Sequence, residues 1–185
     1  MAVSPEELKI GSKAIDFNLP SVDGKNYSLD SFKDKKVLCI IFSCNHCPYV
    51  IATEDRINKI AKDYSDKSFA LVAINPNDDS SYPEDSFENM KLRAREKGFV
   101  FPYLRDESQE IARAYDAVCT PDIYLYDDNR ILRYRGRIDD SWKDETKVTR
   151  QELKMAIDCL LEGKEIDFET IPAMGCSIKW KNDGL

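Results

Sequence analysis

The sequence predicts an α/β layer sandwich built on a mixed central β-sheet, and three observations carry that prediction. Two short apolar, β-branched runs have the character of strands buried on both faces. Stretches of helical periodicity follow them, and two later runs joined by a polar turn have the form of an antiparallel hairpin.

The first run extends from Lys36 to Ser43, with Val-Leu-Cys-Ile-Ile-Phe at its centre. A strand covered by helices on each side has no solvent face, so its apolar residues need not alternate with polar ones. Ser68 to Ile74 repeats the pattern. Between these strands Ile57, Ile60, Ala61 and Tyr64 recur at helical spacing, and Phe87, Met90 and Ala94 do so after the second. A short helix is expected near Gln109 to Tyr115. Asp122 to Tyr126 reads as a strand, and Asp127-Asp128-Asn129 supplies turn chemistry leading into Ile131 to Arg137. Leu153, Ala156, Ile157 and Leu160 mark a last helix, with Gly163 placed for a left-handed C-terminal cap. The densest polar segment, Asn75 to Asp85, lies between two patterned elements and reads as a functional loop.

At 185 residues, with no repeat or proline-rich linker, the chain fits one domain, which we place over residues 1–165, followed by a tail over 166–185 packed on it. The 27 basic and 34 acidic side chains give a net charge of -7. Nucleic acid is excluded as the expected partner, because affinity for phosphates rests on Lys and Arg releasing counterions. The longest hydrophobic stretch, Val37 to Phe42, falls far short of the roughly 20 residues of a membrane span. No basic leader followed by an apolar run opens the sequence. A cytoplasmic protein without a membrane partner is the expectation.

The six cysteines, Cys39, Cys44, Cys47, Cys119, Cys159 and Cys176, are too few and too unevenly spaced for a disulfide scaffold. Cys44-Asn45-His46-Cys47-Pro48 follows the first core strand directly, where a helical pattern begins. Two thiols three residues apart at a helix N-terminus can close a disulfide, and the orphan N–H groups there stabilise a thiolate. That is the chemistry of dithiol exchange. A structural zinc would need two further ligands, yet Cys119, Cys176 and His46 form no second Cys-x-x-Cys or His pair, so no metal is expected. Cys39 lies mid-strand and Cys159 beside the apolar face of the last helix; both read as small core residues.

These residues resemble the thioredoxin-like superfamily, in particular its bacterial alkyl hydroperoxide reductase/thiol-specific antioxidant (redoxin) branch. The resemblance runs through Cys44 to Val50, Asn75-Pro76-Asn77-Asp78, Tyr82-Pro83-Glu84-Asp85, Cys119-Thr120-Pro121-Asp122 and Gly175 to Trp180. It implies a thioredoxin-like three-layer sandwich, with Pro121 as a cis-proline facing the dithiol and Thr120 offering backbone groups to an extended substrate. Asn45-His46 resembles the protein disulfide isomerase type, which implies that His46 tunes the potential, although no carboxylate partner for it is visible in the sequence.

Two assignments of the dithiol stand side by side. In the first, Cys44 attacks and Cys47 resolves the mixed disulfide; no bound cofactor is needed, and the partners are a disulfide-containing protein or small molecule and a thiol reductant. In the second, Pro48 opens the helix, since a proline at the first helical position costs nothing there, and Cys47 becomes the N-cap. A Cys-Pro step opening a helix resembles the peroxidatic cysteine of peroxiredoxins. Against it, the places of the peroxiredoxin threonine and arginine hold Cys44 and Pro121, which removes electrostatic help for the departing oxygen. Ser43 stands where thioredoxins commonly carry tryptophan. We take the first assignment, with the peroxidase second and a non-enzymatic redox-responsive module, holding a partner through its acidic loop Asn77 to Asp85, third. Cys119, two residues before Pro121, and Cys176, in a tail anchored by Ile178 and Trp180, are expected as auxiliary thiols.

Overall fold

The computed structural model of the protein describes residues 9–181. The start of the expected domain, the end of the expected tail and the opening residues read as leaderless lie outside them.

Five strands form the central sheet in the order β5-β4-β3-β7-β8. They are β3 (Val37–Phe42), β4 (Phe69–Asn75), β5 (Tyr103–Arg105), β7 (Asp122–Tyr126) and β8 (Leu132–Arg135). The β3–β4 and β4–β5 pairs are parallel; β3–β7 and the β7–β8 hairpin are antiparallel. The sheet is mixed, as the sequence predicts. Every side chain of β3 is buried, which explains its unbroken apolar run: burying one such side chain is worth about 1.5–3 kcal/mol.

The pleat splits β3 between two cores. Val37, Cys39 and Ile41 pack with Ile57, Ile60 and Ala61 of α1 (Pro48–Asp63) and with Leu153, Ala156, Ile157 and Leu160 of α4 (Glu152–Leu161). Leu38, Ile40 and Phe42 face the other way, toward Phe17, Phe32, Ile178 and residues Ala112 and Tyr115 at α3 (Glu110–Ala114). Met90 of α2 (Phe87–Lys97) packs on Ala73 and Tyr103. Gly163 has φ +73, the left-handed conformation expected after the last helix.

Four short strands lie outside the central sheet: β1 (Asn18–Pro20) pairs with β2 (Asn26–Ser28), and β6 (Cys119–Thr120) with β9 (Cys176–Ser177). None was expected from the sequence, nor was the three-residue β5, because two or three residues are too few to display a period.

Topology brings three segments to one end of the sheet. Phe42 registers in parallel with Ile74 and antiparallel with Asp122. The exit of β3, the exit of β4 and the approach to β7 therefore converge, as ligand sites in open α/β sheets do at strand carboxyl ends.

Candidate active site

The convergent segments are Ser43 to Pro48, the loop from Asn75 to Asp85, and Cys119 to Asp122. Ser43 donates its N–H to the Ile74 carbonyl at 2.8 Å, which prolongs the β3–β4 ladder to the edge of the dithiol. The first helical residue of α1 is Pro48, with Cys47 as the extended N-cap (φ -69, ψ 125). This is the late start that Pro48 favours, because its missing N–H is one the first turn leaves unpaired anyway. Cys44 consequently lies in the loop before the helix rather than on it.

The two thiols are unequal. Burial pushes the Cys44 thiol well up, helped by its hydrogen bond with Cys47 and by the charge of Asp85. Cys47 is held low, first by the side chain of Cys44 as hydrogen-bond donor, against the opposing effect of burial, then by the Cys176 thiol and the backbone N–H groups of Val50 and Cys176. One group works against the anion: the Thr120 carbonyl lies 3.1 Å from the Cys47 sulfur and accepts its proton in the thiol form. These directions run opposite to the expectation: Cys47, held low first by the Cys44 side chain, is the more readily ionised thiol, and the buried Cys44 is the one held protonated.

Thr120, which precedes Pro121, faces the dithiol. Their peptide bond is cis, and Thr120 Oγ1 stands 3.1 Å from the Cys44 sulfur. Thr120 does not, however, present a free edge: it registers opposite Cys176 in the β6–β9 ladder, so the backbone groups expected to meet an extended substrate are paired with the tail.

His46 has a carboxylate partner after all, 39 residues away in sequence: Nδ1 stands 2.6 Å from Asp85 Oδ2, and the ring stacks on Tyr82 at 5.0 Å. Asp85 is wholly buried and also accepts from the Asn45 N–H (2.6 Å), Asn75 Nδ2 (3.3 Å) and Asn77 Nδ2 (2.7 Å). Asn45 is held further by the Glu84 carbonyl and by the Tyr103 hydroxyl. The loop from Asn75 to Asp85 thus clamps the two residues between the cysteines. Asn77, Asp78 and Asp85 are buried, whereas Ser80, Ser81, Pro83 and Glu84 of the same loop are exposed. Ligand atoms of Cys44, His46 and Asp85 lie within 4.8 Å of one another, close enough to chelate a cation. Both Asp85 oxygens are nevertheless already committed, so the cluster is a hydrogen-bond network.

The auxiliary thiols separate. Cys176, half-buried, packs against Cys44, Cys47 and Val50. Cys119 does not join them: neighbouring strand residues point to opposite faces, and while Thr120 turns toward Cys44, the Cys119 thiol donates to the Pro121 carbonyl at 3.7 Å. Burial pushes it up to about 12. Cys39 is fully buried in the sheet. Asp85, Tyr82 and Trp142, whose ring lies 4.2 Å from that of Tyr49, were not singled out from the sequence; Asp85 carried a signal, standing in the resembling run Tyr82 to Asp85.

Residues 10–135 match the family described as AhpC/TSA. The chain belongs to the AhpC/TSA family. An uncharacterized conserved protein from Geobacillus kaustophilus is 43% identical, with 100% of this chain and 98% of that chain covered and a TM-score of 0.93. The thioredoxin-like protein YneN of Bacillus subtilis is 29% identical over 123 residues, 66% of this chain and 68% of its own length. A thiol:disulfide interchange protein from Chlorobium tepidum, 19% identical, covers 84% of this chain and 99% of its own at a TM-score of 0.65, a likeness of fold. This AhpC/TSA protein therefore has the thioredoxin-like three-layer sandwich and stands among redox oxidoreductases. Among the described residues, no helix is long and apolar enough to cross a membrane.

Proposed function

We propose that this AhpC/TSA protein is a thiol–disulfide oxidoreductase in which Cys47 attacks and Cys44 resolves, the roles exchanged from those expected of the sequence. The observation that carries the reading is the inequality of the pair, with Cys47 at the head of α1 and held low while the buried Cys44 is held high. A thiolate is the nucleophile in disulfide exchange, and a neighbouring protonated thiol is the reserve that completes it.

The Cys47 thiolate attacks one sulfur of a disulfide-containing protein or small molecule; its S–S bond breaks and one substrate thiolate leaves. Cys44 then attacks the Cys47 sulfur, giving its proton to the departing second thiolate, and the Cys44–Cys47 disulfide forms as two electrons pass to the substrate. A thiol reductant restores the pair, no bound cofactor is needed, and a reducing cytoplasm suits the cycle. A stabilised thiolate favours the reduced form, which makes the couple oxidising, and the His46–Asp85 pair fixes the segment that must flex between the two states.

A peroxidase remains the second reading, favoured by Cys47-Pro48 at the start of α1. It is weaker because the guanidinium groups around the site are engaged elsewhere: Arg135 with Asp122, Arg137 with Glu152 and Arg56 with Asp139. Trapping tests the order of roles. With Cys176 also replaced by Ser, Cys44→Ser should accumulate a mixed disulfide with reduced insulin's oxidised parent or with 5-thio-2-nitrobenzoate, and Cys47→Ser should not; trapping by Cys47→Ser alone would restore Cys44 as the attacker.

A further inference from the structure

The tail reaches the dithiol as a strand. Cys176 stands opposite Thr120, and Ser177 opposite Cys119, in an antiparallel pair. The approach is so close that a Cβ on Gly175 would lie 2.5 Å from the Thr120 carbonyl oxygen, so only glycine admits this register. Beyond the strand the chain is tied down repeatedly. The Ile178 N–H donates to the Val118 carbonyl and the Lys179 N–H to Asn77 Oδ1; Ile178 is buried, and the Arg113 guanidinium covers the Trp180 ring at 4.5 Å. Cys176 is thereby held against Cys44 and Cys47 as a third sulfur.

Resting on the thiol–disulfide reading above, we propose that Cys176 is a third redox thiol, which competes with Cys44 for the Cys47 sulfur and forms a Cys47–Cys176 disulfide that fastens the tail across the Thr120 edge. The tail takes the place of a substrate strand, since β-addition along an exposed edge is how extended peptides are commonly received. When Cys47 is joined to a substrate sulfur, Cys176 attacks Cys47, the Cys47–substrate bond breaks, and the substrate thiolate leaves with the Cys176 proton. Two electrons have then passed to the substrate, as they would through Cys44. From an existing Cys44–Cys47 disulfide the same attack releases Cys44 as a thiol, an exchange with no net electron transfer.

The environment gates this step. Burial, then the hydrogen bond and charge of Cys47, push the Cys176 thiol up to about 11. Two of those three causes vanish once Cys47 enters a disulfide and loses its charge. Cys176 therefore becomes nucleophilic when there is a disulfide at Cys47 to attack.

The test uses the full chain carrying Cys44→Ser, treated with oxidised glutathione, alkylated and mapped by mass spectrometry. Cys47–Cys176 should exceed Cys47–glutathione by about tenfold or more, because a neighbouring thiol held in place acts at millimolar effective concentration or above. Cys44→Ser/Cys176→Ser should hold Cys47–glutathione instead. Gly175→Ala added to Cys44→Ser should cut the internal disulfide several-fold while Cys47 still reacts. Cys44→Ser that holds Cys47–glutathione with Cys176 alkylated overturns the third thiol and leaves the dithiol reading standing. Cys47 alkylated and unreacted in both variants overturns the two together.

Discussion

Asp85, 0% exposed, holds Nδ1 of His46 at 2.6 Å from its own Oδ2 and so fixes the middle of the Cys-x-x-Cys segment from a loop on a neighbouring strand. The same carboxylate takes the Asn45 N–H, so both residues between the cysteines answer to it. Asp85→Asn keeps the shape and replaces one acceptor by a donor among groups that already donate. Each donor left without an acceptor costs about 1–3 kcal/mol, and the melting temperature should fall accordingly. A second readout separates charge from stability. Asp85 is one of the causes holding Cys44 high, after burial and the Cys47 hydrogen bond. In Asp85→Asn the alkylation profile of Cys44 should therefore move to lower pH; an unmoved profile would mean that the carboxylate acts only structurally.

Cys47 should stay reactive well below the ordinary thiol range of about 8.5. An unperturbed thiol loses reactivity about tenfold per pH unit below that value, whereas the rate for Cys47 should hold level through neutrality and fall only in acid. The linkage has a definite sign. A folded-state value held low gives stability that is present in full above the unfolded thiol value and is lost as pH falls through the folded one. The stability advantage of the reduced protein over Cys47→Ser should therefore shrink on acidification. Because the Cys44 side chain, as hydrogen-bond donor, is the largest cause, Cys44→Ala should shift the Cys47 inflection upward. Alkylation kinetics from acid to mildly basic pH decide the matter, and a steady decline below pH about 8.5 in the parent protein would count against Cys47 as the attacker.

The sheet was legible because β3 and β4 are six and seven residues long and covered on both faces, so hydrophobicity alone marks them. The dithiol was legible as a local spacing, and Pro48 correctly announced where α1 begins. The distribution of charge between the sulfurs was not. It depends on the burial of Cys44, on its hydrogen bond with Cys47, and on Asp85 and Cys176, which arrive from a distant loop and from the tail. The β6–β9 ladder escaped for the same reason: two-residue strands have no readable period, and their register is set by Gly175 meeting Thr120. Composition likewise does not reveal that Asn77, Asp78 and Asp85 of the acidic loop turn inward while Ser80, Ser81, Pro83 and Glu84 stay exposed.

Hydrogen peroxide should oxidise the reduced protein slowly, near the rate of an ordinary thiolate. Cleaving the O–O bond quickly needs donors aimed at the departing oxygen, and removing one such group typically costs about 10²–10³ in rate. Here Thr120 presents a carbonyl to the Cys47 sulfur, and Arg137, which lines a groove with Pro121 and Tyr49, is held by Glu152. Stopped-flow oxidation several orders of magnitude faster than free cysteine at the same pH would transfer the protein to the peroxidase reading.

The last prediction concerns the surface beside Cys47 and Pro121, where Tyr49, Trp142 and Met174 line a shallow groove. Trp142 is placed there by Arg56, which is buried and donates to Asp139 Oδ2 and to the carbonyls of Ser141, Trp142 and Ala52. Arg56→Met leaves Asp139 buried and unpaired, a loss of about 3–5 kcal/mol for breaking a pair of this kind. Replacing both partners, as in Arg56→Met/Asp139→Leu, removes the stranded charge and should recover much of that stability, but it does not rebuild the donors that hold the Ser141 and Trp142 carbonyls. Comparing the two variants therefore separates folding from recognition. If the groove receives the protein substrate, the double variant should raise KM for a protein disulfide several-fold and leave the rate with a small aromatic disulfide nearly unchanged. Equal effects on both substrates would place the damage at the sulfurs, and no effect on either would show that Trp142 takes no part in holding the substrate.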